Sequence, residues 1–191
     1  MTDFFLFIDF QKIFRDNQEW KVPDIEQCFN RAKEAHELIS MHQTRTLLTV
    51  KTKYLPPSAI INTNCPNDHA WKKYFDLFPS VPRHKNHELY NELHDFESDT
   101  VWISNGFNKW RDCPSYKPPF NVFITGVSTE CCVLSTALSA VDSGANVYII
   151  SDACTAGTSE DHILGLSIMS KFKPNIQIIT TKDIPILFNK A

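Results

Sequence analysis

The stretch from Phe120 to Gly157, FNVFITGVSTECCVLSTALSAVDSGANVYIISDACTAG, leaves few folds open to this chain. An apolar run passes through a short polar turn into a helical pattern, and a second apolar run follows Gly144. That is strand, turn, helix, strand, the βαβ unit whose two strands lie parallel because the helix carries the chain back. The same alternation recurs elsewhere. Phe4 to Asp9, Thr46 to Val50, Thr100 to Ile103, Val122 to Thr125, Val147 to Ser151 and Ile176 to Thr180 read as strands. Asp24 to His42, Glu88 to Asp95, Glu130 to Ser143 and Glu160 to Lys171 read as helices. Strands alternating with helices predict an α/β fold with a parallel sheet covered on both faces. The 191 residues suit one domain over residues 1–191. Tyr54 to Pro82 is rich in Pro and Asn and reads as an excursion over the C-terminal edge of the sheet, part of a substrate lid. Tyr116 to Pro119 is a short stiff connector.

Bulk properties exclude several classes. The formal net charge is −3 with no long charge run, so nucleic acid is not an expected partner. No apolar run approaches the roughly 20 residues of a membrane span, and MTDFFLFIDF lacks the basic region and cleavage site of a signal peptide. The six cysteines are irregularly spaced, without a CxxC pair, which argues against a disulfide framework and structural zinc. A reducing cytoplasm is the expected setting.

Two residues carry the chemical signal. Cys132 lies six residues beyond Gly126, past a strand end, where α/β sheets bind ligands. Ser128 or Thr129 can cap the helix, placing Cys132 in its first turn, where the positive helix end favours a thiolate and unpaired N–H groups can hold an oxyanion. Asp9 closes an otherwise apolar strand, a costly position for a carboxylate that is neither paired nor used. If the first and fourth strands are neighbours, Asp9 and Cys132 face one crevice, and Asp9 could take the thiol proton. The plainer alternatives are a core cysteine and a strand-end cap. Cys131 should rotate away on the helix, Cys28 and Cys154 should pack, and Cys65 and Cys113 carry no arguable role. Gln11 reads as a local hydrogen-bonding residue.

These segments resemble the isochorismatase-like cysteine hydrolase superfamily, which includes nicotinamidases, N-carbamoyl amide hydrolases and ureidoacrylate amidohydrolases. IDFQKIF is similar to its first-strand signature, with Asp9 as the triad acid. GVSTECCVLSTALSAVDSGANVYIISDA is similar to its nucleophile segment, with Cys132 as nucleophile, and Ser159 to Met169 is similar to the helix that follows. The resemblance implies a three-layer Rossmann-like fold with a six-stranded parallel sheet in the order 3-2-1-4-5-6. It also implies a cis peptide between Val127 and Ser128, with the N–H groups of Ser128 and Cys132 forming the oxyanion site, and a homo-oligomer, dimer or tetramer.

The family triad also contains a lysine at the end of the third strand. In Val101 to Trp110, VWISNGFNKW, an ungapped match puts Ser104 at that position. Lys109 could fold back to substitute, or Lys51 or Lys53 could enter from the second strand; each otherwise reads as a solvated surface charge. The metal motif of nicotinamidases has no counterpart: Asp68 and His69 come too late in the loop, and His84, His87 and His94 read as surface histidines. Neither metal nor cofactor is expected. Phe14, Trp102, Phe107 and Trp110 are candidate walls of a substrate pocket, or core. The leading expectation is hydrolysis of a C–N bond in a small-molecule amide or ureido compound through a thioester. The alternatives are a non-catalytic binding or scaffold protein that lost the lysine, and a thiol-redox protein using Cys131 and Cys132.

Overall fold

The computed structural model describes residues 2–57, 60, 66, 69–94, 96, 100–110 and 119–189. Six strands, β1 (Thr2–Ile8), β2 (Thr46–Tyr54), β3 (Thr100–Ser104), β4 (Phe120–Val127), β5 (Ala145–Thr155) and β6 (Ile176–Ile179), form one sheet in the order β3-β2-β1-β4-β5-β6. Every pairing is parallel. Among the described residues the α-helices are α1 (Ile13–Asp16), α2 (Ile25–His42), α3 (Ala70–Leu77), α4 (Leu134–Asp142), α5 (Ser159–Met169) and α6 (Ile184–Asn189).

Strand β1 explains why the sheet is central. Its side chains alternate between two faces, and both faces are apolar. Phe5 and Phe7 join the core under α2, with Phe29, Ala32 and Ala35. Phe4, Leu6 and Ile8 join the opposite core under α4, with Val133, Ala137 and Ala140. All five strand residues are fully buried, and each contributes about 1.5–3 kcal/mol relative to exposure. The strand order reverses between β1 and β4, and the crevice at that switch point opens at the C-terminal strand ends.

Several boundaries differ from the sequence reading. The helix expected over Glu88 to Asp95 is only a 3₁₀ turn, Asn91–His94, with Asp95 itself outside the described residues. The preceding backbone is already engaged: Glu88 O accepts from Lys12 N, and Tyr90 N donates to Phe10 O. The Pro- and Asn-rich excursion contains an unforeseen helix, α3, whose start is capped by the His69 ring accepting from Trp71 N. Cys65, Asp68, Cys113 and most of the Tyr116 to Pro119 connector lie outside the described residues. No helix among the described residues is long and apolar enough to cross a membrane.

Candidate active site

Asp9 follows β1 in a left-handed backbone conformation, φ 51°, a conformation uncommon for any residue but glycine. Gln11 N closes this turn on Asp9 O at 2.7 Å. Thr52 of β2 locks the carboxylate from the side: its hydroxyl accepts from Asp9 N at 3.1 Å and donates to Asp9 Oδ1 at 2.7 Å. Gln11 clasps the backbone of Tyr54, which holds the ends of β1 and β2 together.

The cation opposite Asp9 is Lys109. Its Nζ lies 3.0 Å from Asp9 Oδ2, and both side chains are fully buried. The ammonium also donates to Gly106 O at 2.9 Å and sits 4.9 Å from the centre of the Tyr54 ring. Beyond the ion pair, Asp9 Oδ2 has no hydrogen bond among the described residues. Burial alone would push Lys109 down, but the charge and hydrogen bond of Asp9 act against it, and the lysine is held above its ordinary value. Expecting a solvated charge was therefore wrong for Lys109, and also for Lys51, which is buried and donates to Phe96 O. Lys53 pairs with Glu88 at 2.9 Å.

Ser104 organises the loop that returns Lys109. Its hydroxyl accepts from Gly106 N at 3.2 Å and lies 3.1 Å from Asn108 O. Lys109 N then donates to Thr136 Oγ1 at 3.0 Å, and the Asn108 amide donates to Ser139 Oγ at 2.9 Å, pinning the loop to α4. The ungapped match misassigned the lysine because it ran as if the strand continued, whereas the chain turns back at Gly106.

Cys132 enters from a π-wound turn, Thr129–Val133, between β4 and α4. Ser128 O accepts from both Cys131 N and Val133 N, each at 3.1 Å. The preceding Val127–Ser128 peptide is cis. Gly126, φ 122°, admits β1 alongside; a β-carbon there would lie 2.1 Å from Ile8 O. The turn is braced from behind by α5. Thr129 Oγ1 contacts Thr155 O at 3.0 Å and His162 Nδ1 at 2.8 Å. A β-carbon on Gly165 would lie 2.8 Å from Glu130 N, so glycine is what allows α5 this close.

Two expectations about the thiols change. Contact with the Cys131 thiol and burial push Cys132 well above the ordinary thiol range, against the pull of Lys109. Both causes favour the thiol over the thiolate, which sets them against the helix-end effect expected from the sequence. Cys131 does not rotate clear: in the π-wound turn it lines the same cavity as Cys132. Cys28 and Cys154 are buried in packing, and all four described cysteines are free.

That cavity has a volume of about 300 Å³ and brings Ser128, Glu130, Cys131 and Cys132 against the rings of Phe14, Trp20, Tyr54, Tyr74, Phe78 and Phe107. Cys132 is only 6% exposed, but the surface it keeps faces this space. Of the candidate walls, Phe14 and Phe107 line the cavity. Trp110 and Trp102 are core: their rings pack at 6.0 Å, Trp110 stacks on Phe120, and the Trp110 indole donates to Ser143 Oγ. Trp20, Tyr74 and Phe78 were missed because they come from a loop and from the unforeseen α3 region, and Glu130 because the π-wound turn, not a regular helix, brings it to the cavity. Tyr54 had a readable signal, since it falls on the same face as Thr52 once β2 is extended by four residues. His94 is exposed, whereas His84 and His87 are half-buried. Among the described residues, no cluster of three or more His, Cys, Asp or Glu could hold a metal ion.

A family model described as the isochorismatase domain matches residues 3–183. The chain is 40% identical over 47 residues to isochorismatase domain-containing protein 2 of Bos taurus, a match covering 25% of this chain and 23% of the relative. The alignment thus spans under a quarter of that relative's length. A cysteine hydrolase structure from Pseudomonas syringae pv. phaseolicola superposes with TM-score 0.72 at 15% identity, covering 99% of this chain and 92% of that one. The MAR1 ribonuclease of Caenorhabditis elegans superposes with TM-score 0.62 at 18% identity, covering 98% and 80%. At such identities the structural likeness shows a shared fold alone.

Proposed function

The chain belongs to the isochorismatase family, and on that footing we propose that it is a cysteine-dependent amidohydrolase of a C–N bond, amide or ureido, in a small molecule. The observation that carries this reading is the buried Asp9–Lys109 ion pair, both of whose charges act on the Cys132 thiol, which itself lines the cavity. Asp9 takes the Cys132 proton as Sγ attacks the carbonyl carbon. The oxyanion forms against the N–H groups of Ser128 and Cys132. Collapse breaks the C–N bond, the leaving amine takes the proton from Asp9, and a thioester remains. Asp9 then deprotonates water, which attacks the thioester and releases the acid while the thiolate recovers the proton. Lys109 stays protonated throughout, balancing Asp9 and the transient thiolate.

The main ground for a non-catalytic scaffold was a missing lysine. Lys109, 3.0 Å from Asp9, removes that ground. A nucleic-acid substrate is disfavoured by Glu19, Glu130 and Asp161, which outnumber Lys21 around the cavity. A reducing cytoplasm suits the free described thiols. Helix α5 exposes Ile163 (64%) and Leu164 (55%), with Phe172 (41%) just beyond it, and a helix apolar on several faces is normally covered, which supports a homo-oligomer. The decisive assay is ammonia release from a panel of small amides, with hydroxylamine added to trap the acyl-enzyme as a hydroxamate. Turnover should vanish in Cys132→Ala; equal turnover in that variant would sink the mechanism.

A further inference from the structure

The cavity holds two polar groups that the proposed mechanism does not use. Tyr54 is 2% exposed, and its hydroxyl has no hydrogen-bond partner among the described residues. Glu130 Oε2 is likewise buried and unpartnered. Both residues line the cavity beside Cys132. A buried polar group left unpaired is costly, so two in one cavity call for a ligand that satisfies them.

The charge arrangement says which kind. Asp9 is balanced by Lys109, and the acidic side chains lining the cavity are Glu19, Glu130 and Asp161, of which Glu130 alone has a buried carboxyl oxygen without a hydrogen-bond partner among the described residues; burial pushes the Glu130 pKa up, a shift that a bound cation would reverse. Glu19 is not free in the same way, since it accepts from Ser80 N and Ser80 Oγ. Lys21 is exposed at the mouth, where its charge is solvated. Aromatic rings line the same cavity as Glu130. Phe14 and Trp20 stack at 5.5 Å with 7° between planes, and Trp20 lies 6.4 Å from Tyr74 and 6.5 Å from Phe78. Aromatic walls around an acidic group attract cations, through the ring quadrupoles and through the charge. An anionic substrate would meet like charge at Glu130.

We propose that this cavity selects an amide carrying a cationic group, such as a quaternary ammonium or an aromatic cation, seated among the rings and against Glu130. The selection rests on the active-site reading above, but it can be tested apart from catalysis. Calorimetry on the intact protein would compare benzyltrimethylammonium, its uncharged tert-butyl isostere and phenylacetate. The cation should bind about tenfold more tightly than the isostere, and phenylacetate most weakly. Glu130→Gln should reduce the cation's preference to about threefold or less. Trp20→Leu, on the other wall, should weaken the cation about fivefold and serves if Glu130→Gln does not fold. In the amide assay, kcat/KM should fall from para-trimethylammonio-benzamide to benzamide to its para-carboxylate. Equal affinities, a preference for phenylacetate, or no binding of any probe would overturn the inference. Cation binding that responds to both variants, with no amide hydrolysed, would uphold it and refute the hydrolase reading instead.

Discussion

Strand β1 carries a fully buried carboxylate at each end, and the two are held in opposite ways. Asp3, at the N-terminal end, is saturated. It accepts from the Gln43 amide, from Arg45 at 2.9 Å, from Asn121 N at 2.8 Å and from the Asn121 amide at 3.0 Å. Its backbone is ordinary strand, and its partners tie β1 to β4 and to the start of β2. Asp9, just past the C-terminal end, sits on left-handed backbone with one oxygen fixed by Thr52 and the other facing only an ammonium. One carboxylate has every acceptor site used by fixed donors and can only hold. The other keeps an oxygen that can take a proton and has a thiol nearby. Burial of an acid is therefore not what marks a candidate chemical site; incomplete satisfaction on left-handed backbone, beside a thiol, is.

Substitution at the two ends should separate these roles most sharply. Asp9→Asn should lower kcat/KM about 10³-fold or more, while Asp3→Asn, assayed per folded molecule by ammonia release, should stay within about twofold of the parent. Comparable kinetic losses at both ends would erase the distinction.

Stability should show the reverse asymmetry when partners are removed together. Lys109→Met alone strands a buried Asp9 and should cost about 3–5 kcal/mol, whereas Asp9→Asn with Lys109→Met should recover most of that loss. Asp3→Ala leaves donors unpaired and should cost about 2–4 kcal/mol, lowering Tm by roughly 5–15 °C. Urea unfolding of the three variants checks the ranking, and a double variant no more stable than Lys109→Met would break it.

The brace behind the cysteine gives a smaller effect. Gly165→Ala would push a methyl group to 2.8 Å from Glu130 N, displacing the Cys132 turn. It should cost about 1–3 kcal/mol and lower kcat more than it raises KM. A variant that loses stability with unchanged kcat would show that α5 supports the fold without setting the site.

The smallest effect concerns pH. His36 packs edge-on against Phe5, and burial lowers its pKa to about 4 from 6.5. The neutral form is the one the fold accommodates, so this contribution is fully present above pH 6.5 and is lost as pH falls toward 4. His36→Gln should flatten the urea midpoint over that window; an unchanged slope would assign the acid sensitivity elsewhere.

The layout of the fold was largely readable because periodicity reports burial. A run such as Phe4 to Ile8 has to lie inside a covered sheet, and the βαβ segment has to bring two strands parallel. The same logic located Cys132 and Asp9 at strand ends, while the neighbouring of their strands followed from the family resemblance and is what the sheet shows. It failed at Lys109, where a turn centred on Gly106 folds the chain back within five residues of Ser104. It failed again at Trp20, Tyr74 and Glu130, whose roles depend on which loops meet over the crevice.

Apolar period determined the parallel sheet and its covered faces, and strand-end position singled out Asp9 and Cys132, because both act locally along the chain; the strand order came from the resemblance carried by the motifs. The tertiary structure decided which lysine faces the acid, that burial works against the thiolate, and which rings line the cavity. Those outcomes are set by distances between segments far apart in the chain, and by burial that exists only after they have packed.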